Sequence, residues 1–96
     1  MKRVEWTDAA LTDLNEVKAY LSQFGPDVAQ DAVRRLLLSA RWLLDYPYAG
    51  PLIGYRRWRK WKPKGLRYLL VYQPDANGIS IARVRHERND WRAGSE

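Results

Sequence analysis

The chain has 96 residues, 46% of them hydrophobic, enough for one domain with one core and too few for two. It holds no cysteine and a single histidine, His86, which excludes a disulfide framework, a cysteine-based zinc site, a thiol nucleophile and a histidine-rich metal site. Seventeen Lys and Arg against 11 Asp and Glu give a net charge of +6, unevenly spread: residues 1–54 carry six basic and seven acidic side chains, residues 55–96 eleven and four. Such an asymmetry points to a polyanionic partner: nucleic acid, an acidic protein segment or an anionic membrane.

The N-terminus lacks the apolar run of a signal peptide. The most apolar stretch, Leu36 to Leu44, is broken by Arg41 and is too short to span a bilayer. A soluble protein of a reducing, cytoplasmic compartment is the expectation, with no membrane partner, no metal and no cofactor.

Val4-Glu5-Trp6 alternates as a short strand does. Thr7-Asp8 is a helix-start signal. Beyond it, Ala10, Leu14, Val17, Leu21 and Phe24 recur at spacings of four and three, one apolar helix face, with Asp13, Glu16, Lys18 and Gln23 mostly elsewhere. Gly25-Pro26 ends that helix and opens a second. This one should run from Pro26 to Asp45, its core stripe being Ala29, Val33, Leu36, Ala40 and Leu43, widened by Ala32, Leu37 and Leu44. The short join predicts an antiparallel hairpin. Leu38, Trp42 and Tyr20 fall off the main stripes, which suits either a protein interface or packing beneath the loop from Tyr46 to Tyr55.

After the loop Tyr46-Pro47-Tyr48-Ala49-Gly50-Pro51 the period changes. Strands are expected over Tyr55–Trp61, Arg67–Tyr72 and Ile79–Val84, joined by turns at Pro63-Lys64-Gly65 and Pro74–Gly78, where Asn77-Gly78 is the strongest signal. The expected fold is α+β, in the order β-α-α-β-β-β. A helical hairpin covers one face of a small, mostly antiparallel sheet, and the other face must be solvated or bind something.

These residues, in this order, resemble the RelE/ParE superfamily of toxins from type II toxin–antitoxin systems, and most closely its ParE-like, plasmid-stabilisation branch. Trp6-Thr-x-x-Ala10-x-x-Asp13-Leu14 looks like the family's passage from first strand to first helix, and Leu44-x-x-Pro47-x-x-Gly50 like the loop after the second helix. Arg56-Arg57-Trp58 followed by Tyr68-Leu69-Leu70-Val71-Tyr72 looks like the central hairpin. The most specific piece is Ile79-Ser-Ile81-Ala-Arg83-Val84-Arg85-His86-Glu87-Arg88-Asn89-Asp90. The resemblance covers nearly the whole chain. It implies a small cytoplasmic toxin held in a hetero-oligomer with a cognate antitoxin. It also implies one of two targets, DNA gyrase for ParE-like members or ribosome-bound mRNA for RelE-like ones.

Metal-independent RNA cleavage needs cationic clamps and acid–base groups. His86 is the one side chain with an ordinary pKa near neutrality, and Arg83, Arg85 and Arg88 are the cations nearest it in sequence. These four are the catalytic candidates if the chain is a nuclease. Against that, Leu69 stands where RelE-like nucleases often carry an arginine, three residues before Tyr72. The nearest aromatic after the terminal basic cluster is Trp91, whose indole can donate but cannot act as a base. The bland alternatives are that His86 is a structural hydrogen-bonder and that Arg83 satisfies a carboxylate at the sheet edge.

The stretch 56–64 mixes six cations with two indoles. It suits an acidic antitoxin tail first, then a solvated edge strand protected from aggregation, then single-stranded nucleic acid. Arg56, Arg57, Arg59, Lys60, Arg67, Arg85, Arg88 and Trp91 are the candidate antitoxin- or target-binding residues. The favoured reading is a toxin that binds a protein target, DNA gyrase, rather than one with covalent chemistry of its own. A RelE-like ribosome-dependent mRNA interferase is the alternative, and a non-toxin nucleic-acid-binding module the second.

Overall fold

A computed structural model describes residues 1–54 and 57–88. Tyr55, Arg56 and the segment 89–96, with Trp91, lie outside the described residues. The elements are β1 (Arg3–Trp6), α1 (Asp8–Ser22), α2 (Pro26–Asp45), β2 (Leu52–Ile53), β3 (Trp58–Trp61), β4 (Tyr68–Asp75) and β5 (Gly78–His86). They form one sheet in the order β1-β5-β4-β3-β2, antiparallel throughout except for the parallel β1–β5 pair. The helical hairpin packs on one face. This is the expected architecture with one addition, the two-residue strand β2 at the sheet edge. Its brevity leaves no alternation to read.

Thr7 starts α1 by accepting a hydrogen bond from the Ala10 N–H at 3.1 Å through its side-chain oxygen. The buried face of α1 is Ala10, Asp13 and Val17, with Leu14 and Leu21 packed against the core. Two expectations fail here. Asp13 lies on the buried face, because its spacing of three from Ala10 and four from Val17 places it there. Phe24 lies beyond the end of α1, is exposed, and meets the exposed Tyr20 edge-on, at 5.6 Å between ring centroids. Along α2 the buried stripe is Ala29, Ala32, Leu36, Ala40 and Leu43. Leu37, expected to widen it, is 41% exposed instead.

The helix-facing side of the sheet contributes Tyr68, Leu70, Tyr72, Ile79, Ile81 and Val84 to the core. Tyr72 is completely buried, and its hydroxyl makes the loop after α2 what it is. That hydroxyl donates to Pro47 O at 2.8 Å and accepts from the Gly50 N–H at 3.0 Å. Arg59 of β3 donates to Gly50 O at 2.7 Å and lies over the Tyr48 ring at 4.9 Å. A methyl group on Gly50 would stand 2.3 Å from Lys60 O, so glycine is required by space. Burial raises the Tyr72 pKa, partly offset by the Gly50 N–H and by Arg59, so the hydroxyl stays a donor at any ordinary pH.

Trp42 does not stand alone on the surface. It stacks on Trp61 of β3 at 4.9 Å and packs at a tilt against Tyr46 at 4.7 Å, tying the end of α2 to the sheet, though it remains 41% exposed. The β4–β5 turn is tighter than expected. Asp75 pairs with Gly78, leaving Ala76-Asn77 as the turn, and the Asp75 carboxylate accepts from the Asn77 N–H at 2.8 Å. Gly78 is needed for a different reason: its φ is +133° and a Cβ there would lie 2.0 Å from Arg3 O, so β1 can close on β5 only at a glycine. The far face of the sheet is not bare. Leu69 and Val71 at its centre are buried, with Lys60, Arg83 and Arg85 across the ladder from them.

Tyr72→Phe should destabilise the chain by about 2 kcal/mol, the cost of leaving a buried N–H and carbonyl without their partner, read as a lower urea midpoint at unchanged slope. An unchanged midpoint would show that the hydroxyl does not hold the loop.

Candidate functional site

β5 runs past the end of β1, since Trp6 pairs with Ile81 and β1 stops there. The register with β4 also shifts at this point: Tyr72 faces Ile81, Val71 faces Arg83, and Ala82 is an extra, bulged residue. The bulge and the free edge coincide, and α1 fills the gap. Thr7 donates its hydroxyl to Ala82 O at 3.0 Å. Asp13, only 8% exposed, accepts from the Val84 N–H at 3.0 Å and from Arg83 Nε and NH2 at 2.8 and 3.0 Å. The carboxylate thus takes the place of a missing neighbouring strand and receives a two-pronged guanidinium as well.

Burial alone would raise the Asp13 pKa. The Arg83 and Val84 hydrogen bonds and the charges of Arg83 and Arg85 outweigh it and hold the carboxyl below its ordinary value. Arg83 is raised in turn, first by its bond to Asp13. Arg85 is lowered, first by burial and then by the charge of Arg83, with Asp13 opposing.

Beyond the bulge the alternation of β5 divides its functional candidates. His86 faces Tyr68 across the ladder, on the helix-covered side with Val84 and Leu70. Its ring meets the Tyr68 ring edge-on at 5.1 Å. His86 Nδ1 accepts the Arg88 N–H at 3.0 Å, which puts the proton of the neutral imidazole on Nε2. Burial, and then Tyr20, raise the Tyr68 pKa. Arg85 faces Leu69, on the other side of the sheet, while Arg83, opposite Val71 at the bulge, reaches over the strand edge to Asp13 of α1. His86 and Arg85, adjacent in sequence, therefore leave the strand in opposite directions, and Arg83 is held at the edge by the helix.

The candidate binding residues are also dispersed. Arg59 is committed to the loop, donating to Gly50 O at 2.7 Å and Tyr48 O at 3.3 Å. Arg67 pairs with Glu87 at 3.5 Å, and Lys62 donates to Leu66 O at 3.0 Å. Arg57 and Arg88 are exposed, and Lys60 is half-buried opposite Val71. Arg56 and Trp91 lie outside the described residues. Among the described residues no group of three His, Cys, Asp or Glu side chains is placed to hold a metal ion. Among the described residues no helix is long and apolar enough to cross a membrane.

Comparison with known proteins agrees with this frame. The model of the ParE toxin of the type II toxin–antitoxin system parDE matches residues 4–91. The chain belongs to the ParE toxin family. Toxin RelE2 of Caulobacter vibrioides is 36% identical over 93 residues, covering 90% of this chain and 96% of that one. Y4kP of Sinorhizobium fredii is 29% identical over 90 residues, 94% and 93% of the two chains. Among solved structures, a chain of the chromosomal ParDE system from P. aeruginosa superposes with a TM-score of 0.79 at 20% identity, over 90% of this chain and 96% of that one. The protein is accordingly the toxin of a type II toxin–antitoxin pair.

The residue missed in this ParE-family chain was Asp13. Its signal was present: a carboxylate at helical spacing within an apolar stripe must have a partner when buried, and Arg83 was the cation already suspected of meeting a sheet-edge carboxylate. The bulge that brings the two together leaves no mark in the sequence.

Asp13→Asn should cost about 2 kcal/mol at neutral pH, the scale of hydrogen bonds to a charged group, kept modest because the Arg83 side chain is 36% exposed. The folded carboxyl titrates below the unfolded one. Its contribution is therefore complete above the unfolded value, about 3.9, and is lost as pH falls through the folded value. The gap in urea midpoint between wild type and variant should stay whole from pH 7 down to the unfolded value and narrow as pH falls below it. A constant difference would exclude the charged latch.

Proposed function

We propose that this toxin arrests growth by binding a protein target, with DNA gyrase as that target, and that a cognate antitoxin neutralises it in a cytoplasmic hetero-oligomer. The observation that carries the reading is the division of β5. A nuclease needs its acid–base group and its phosphate-binding cations around one scissile bond, and here His86 shares a face with Tyr68 while Arg85 faces Leu69 on the other. Arg83 is held at the strand edge by Asp13. A surface that recognises a macromolecule has no such requirement for convergence. That the structural neighbour comes from a ParDE toxin–antitoxin system supports an antitoxin partner.

The ribosome-dependent mRNA interferase remains a second reading, favoured by one observation: the 36% identical relative from Caulobacter vibrioides is named RelE2. The two readings differ in what they ask of His86. Under the proposal, purified wild-type toxin inhibits supercoiling by gyrase, and His86→Ala inhibits growth as strongly as wild type. Reversing charge at Arg85 and Arg88 together should abolish growth inhibition while antitoxin binding, the check on folding, is kept. Loss of toxicity in a folded His86→Ala variant, with supercoiling untouched by wild type, would favour RNA cleavage instead.

A further inference from the structure

A cleft of about 450 Å³ lies between the start of α2 and the turn that joins β3 to β4. Its apolar walls are Leu21 of α1, Val28 and Ala32 of α2 and Leu66 of the turn, together with the buried Tyr68. Arg35 of α2 donates to Lys64 O, which ties the helix to the turn at one end. From Asp27 to Arg35 the α2 wall runs about 12 Å at 1.5 Å per residue. At the other end stands the hairpin tip, where Gly25, with a φ of +125°, turns the chain from α1 into α2. The tip carries Phe24, which is 59% exposed and does not line its own cleft. An exposed ring therefore stands beside an apolar cleft with room for one, since a cavity of about 150 Å³ already admits benzene.

Charge decides the occupant. Two carboxylates, Asp27 and Asp31, stand on the α2 wall, and two guanidiniums, Arg35 and Arg67, complete the charged lining. On a chain at +6 this patch is locally neutral, so a second copy meets no like-charge barrier here. A nucleic acid backbone or an acidic segment would be set against the carboxylates. Asp31 is held by Arg34 at 2.6 Å, and Arg35 by the turn carbonyl. Asp27 makes no ion pair among the described residues, and the Arg67 side chain is 71% exposed, 3.5 Å from Glu87. A two-fold axis along the cleft lays the α2 wall of each copy on the turn wall of the other. The unpaired carboxylate and the exposed guanidinium then meet twice, once on each side of the axis.

We propose that this cleft is a contact between two copies of the chain, in which the Phe24 ring of each copy enters the cleft of the other and Asp27 of each pairs with Arg67 of the other. Burial of the ring sets the strength, and the reciprocal ion pair sets the register. The contact leaves β5 outside, so it stands whatever the target of the toxin is. Two copies of β5 then move as one body, which raises the avidity for any target with two matching sites.

Sedimentation equilibrium of the purified toxin over a range of concentrations tests this. Wild type should pass from monomer to dimer. Phe24→Ser, Asp27→Lys and Arg67→Glu should each weaken the dimer by about tenfold or more. All three side chains are exposed, so melting temperatures in dilute solution, where every form is monomeric, should match wild type. An equimolar mixture of Asp27→Lys with Arg67→Glu should regain the wild-type dimer, because each reversed charge then meets an opposite charge on the other chain. A damaged fold cannot imitate that rescue. Should Asp27→Lys lower the melting temperature, Phe24→Ser and Arg67→Glu carry the test by their weakening alone. A wild type that stays monomeric, a dimer whose affinity any of the folded variants leaves within about twofold, or a mixture as weak as its parts would each overturn the proposal.

Discussion

A single buried carboxylate joins the two ends of this fold. Asp13 sits on the first helix and bonds to Arg83 and to the Val84 backbone, some seventy residues later. Without it the last strand would end in an unpaired N–H next to a bulge, exposed on the side that β1 has already left. An edge of that kind is a hazard in any sheet, and the usual remedy is another strand or a covering helix. Here the helix reaches in with a side chain. The placement of the candidate residues on β5 depends on that choice, because the bulge at Ala82 and the latch at Val84 fix which side of the sheet each later residue faces.

The consequence is a strand whose histidine and arginines are adjacent in sequence and separated in space. Periodicity alone makes neighbours on a strand point apart. The bulge sets the phase of that alternation, sending His86 toward Tyr68 and Arg85 toward Leu69. The same economy governs much of the basic half of the chain. Arg59 closes a loop, Arg67 pairs with Glu87, and Arg83 pairs with Asp13. Charge that looks like a binding surface in one dimension is in good part internal wiring in three.

The helices were legible because each buries one face and so carries a period, and β4 because Tyr68–Tyr72 is a continuous run of strand formers, buried on both faces. The capping threonine and the Gly-Pro join were legible because they have a mechanism. The loop Pro47-x-x-Gly50 was recognisable as a pattern, but its reason, the Tyr72 hydroxyl shared between Pro47 and Gly50, is a contact across 25 residues that no local signal predicts. Strand β2 was too short to show alternation. Trp42 fell outside the helix stripe because its partner is Trp61 of the sheet rather than the other helix. Val33 and Leu37 fit the expected stripe by spacing alone, but each stands one position past the buried Ala32 and Leu36, and the structure leaves Val33 half-buried and Leu37 at the surface.

We propose that this ParE-family toxin acts by occupying a target and not by cutting RNA. The most direct measurement is primer extension on mRNA held in programmed ribosomes with purified toxin in excess. Intact message, at toxin concentrations that arrest growth, is the result the account predicts. Cleavage at discrete positions in the ribosomal decoding site, lost in a folded His86→Ala variant, would contradict it.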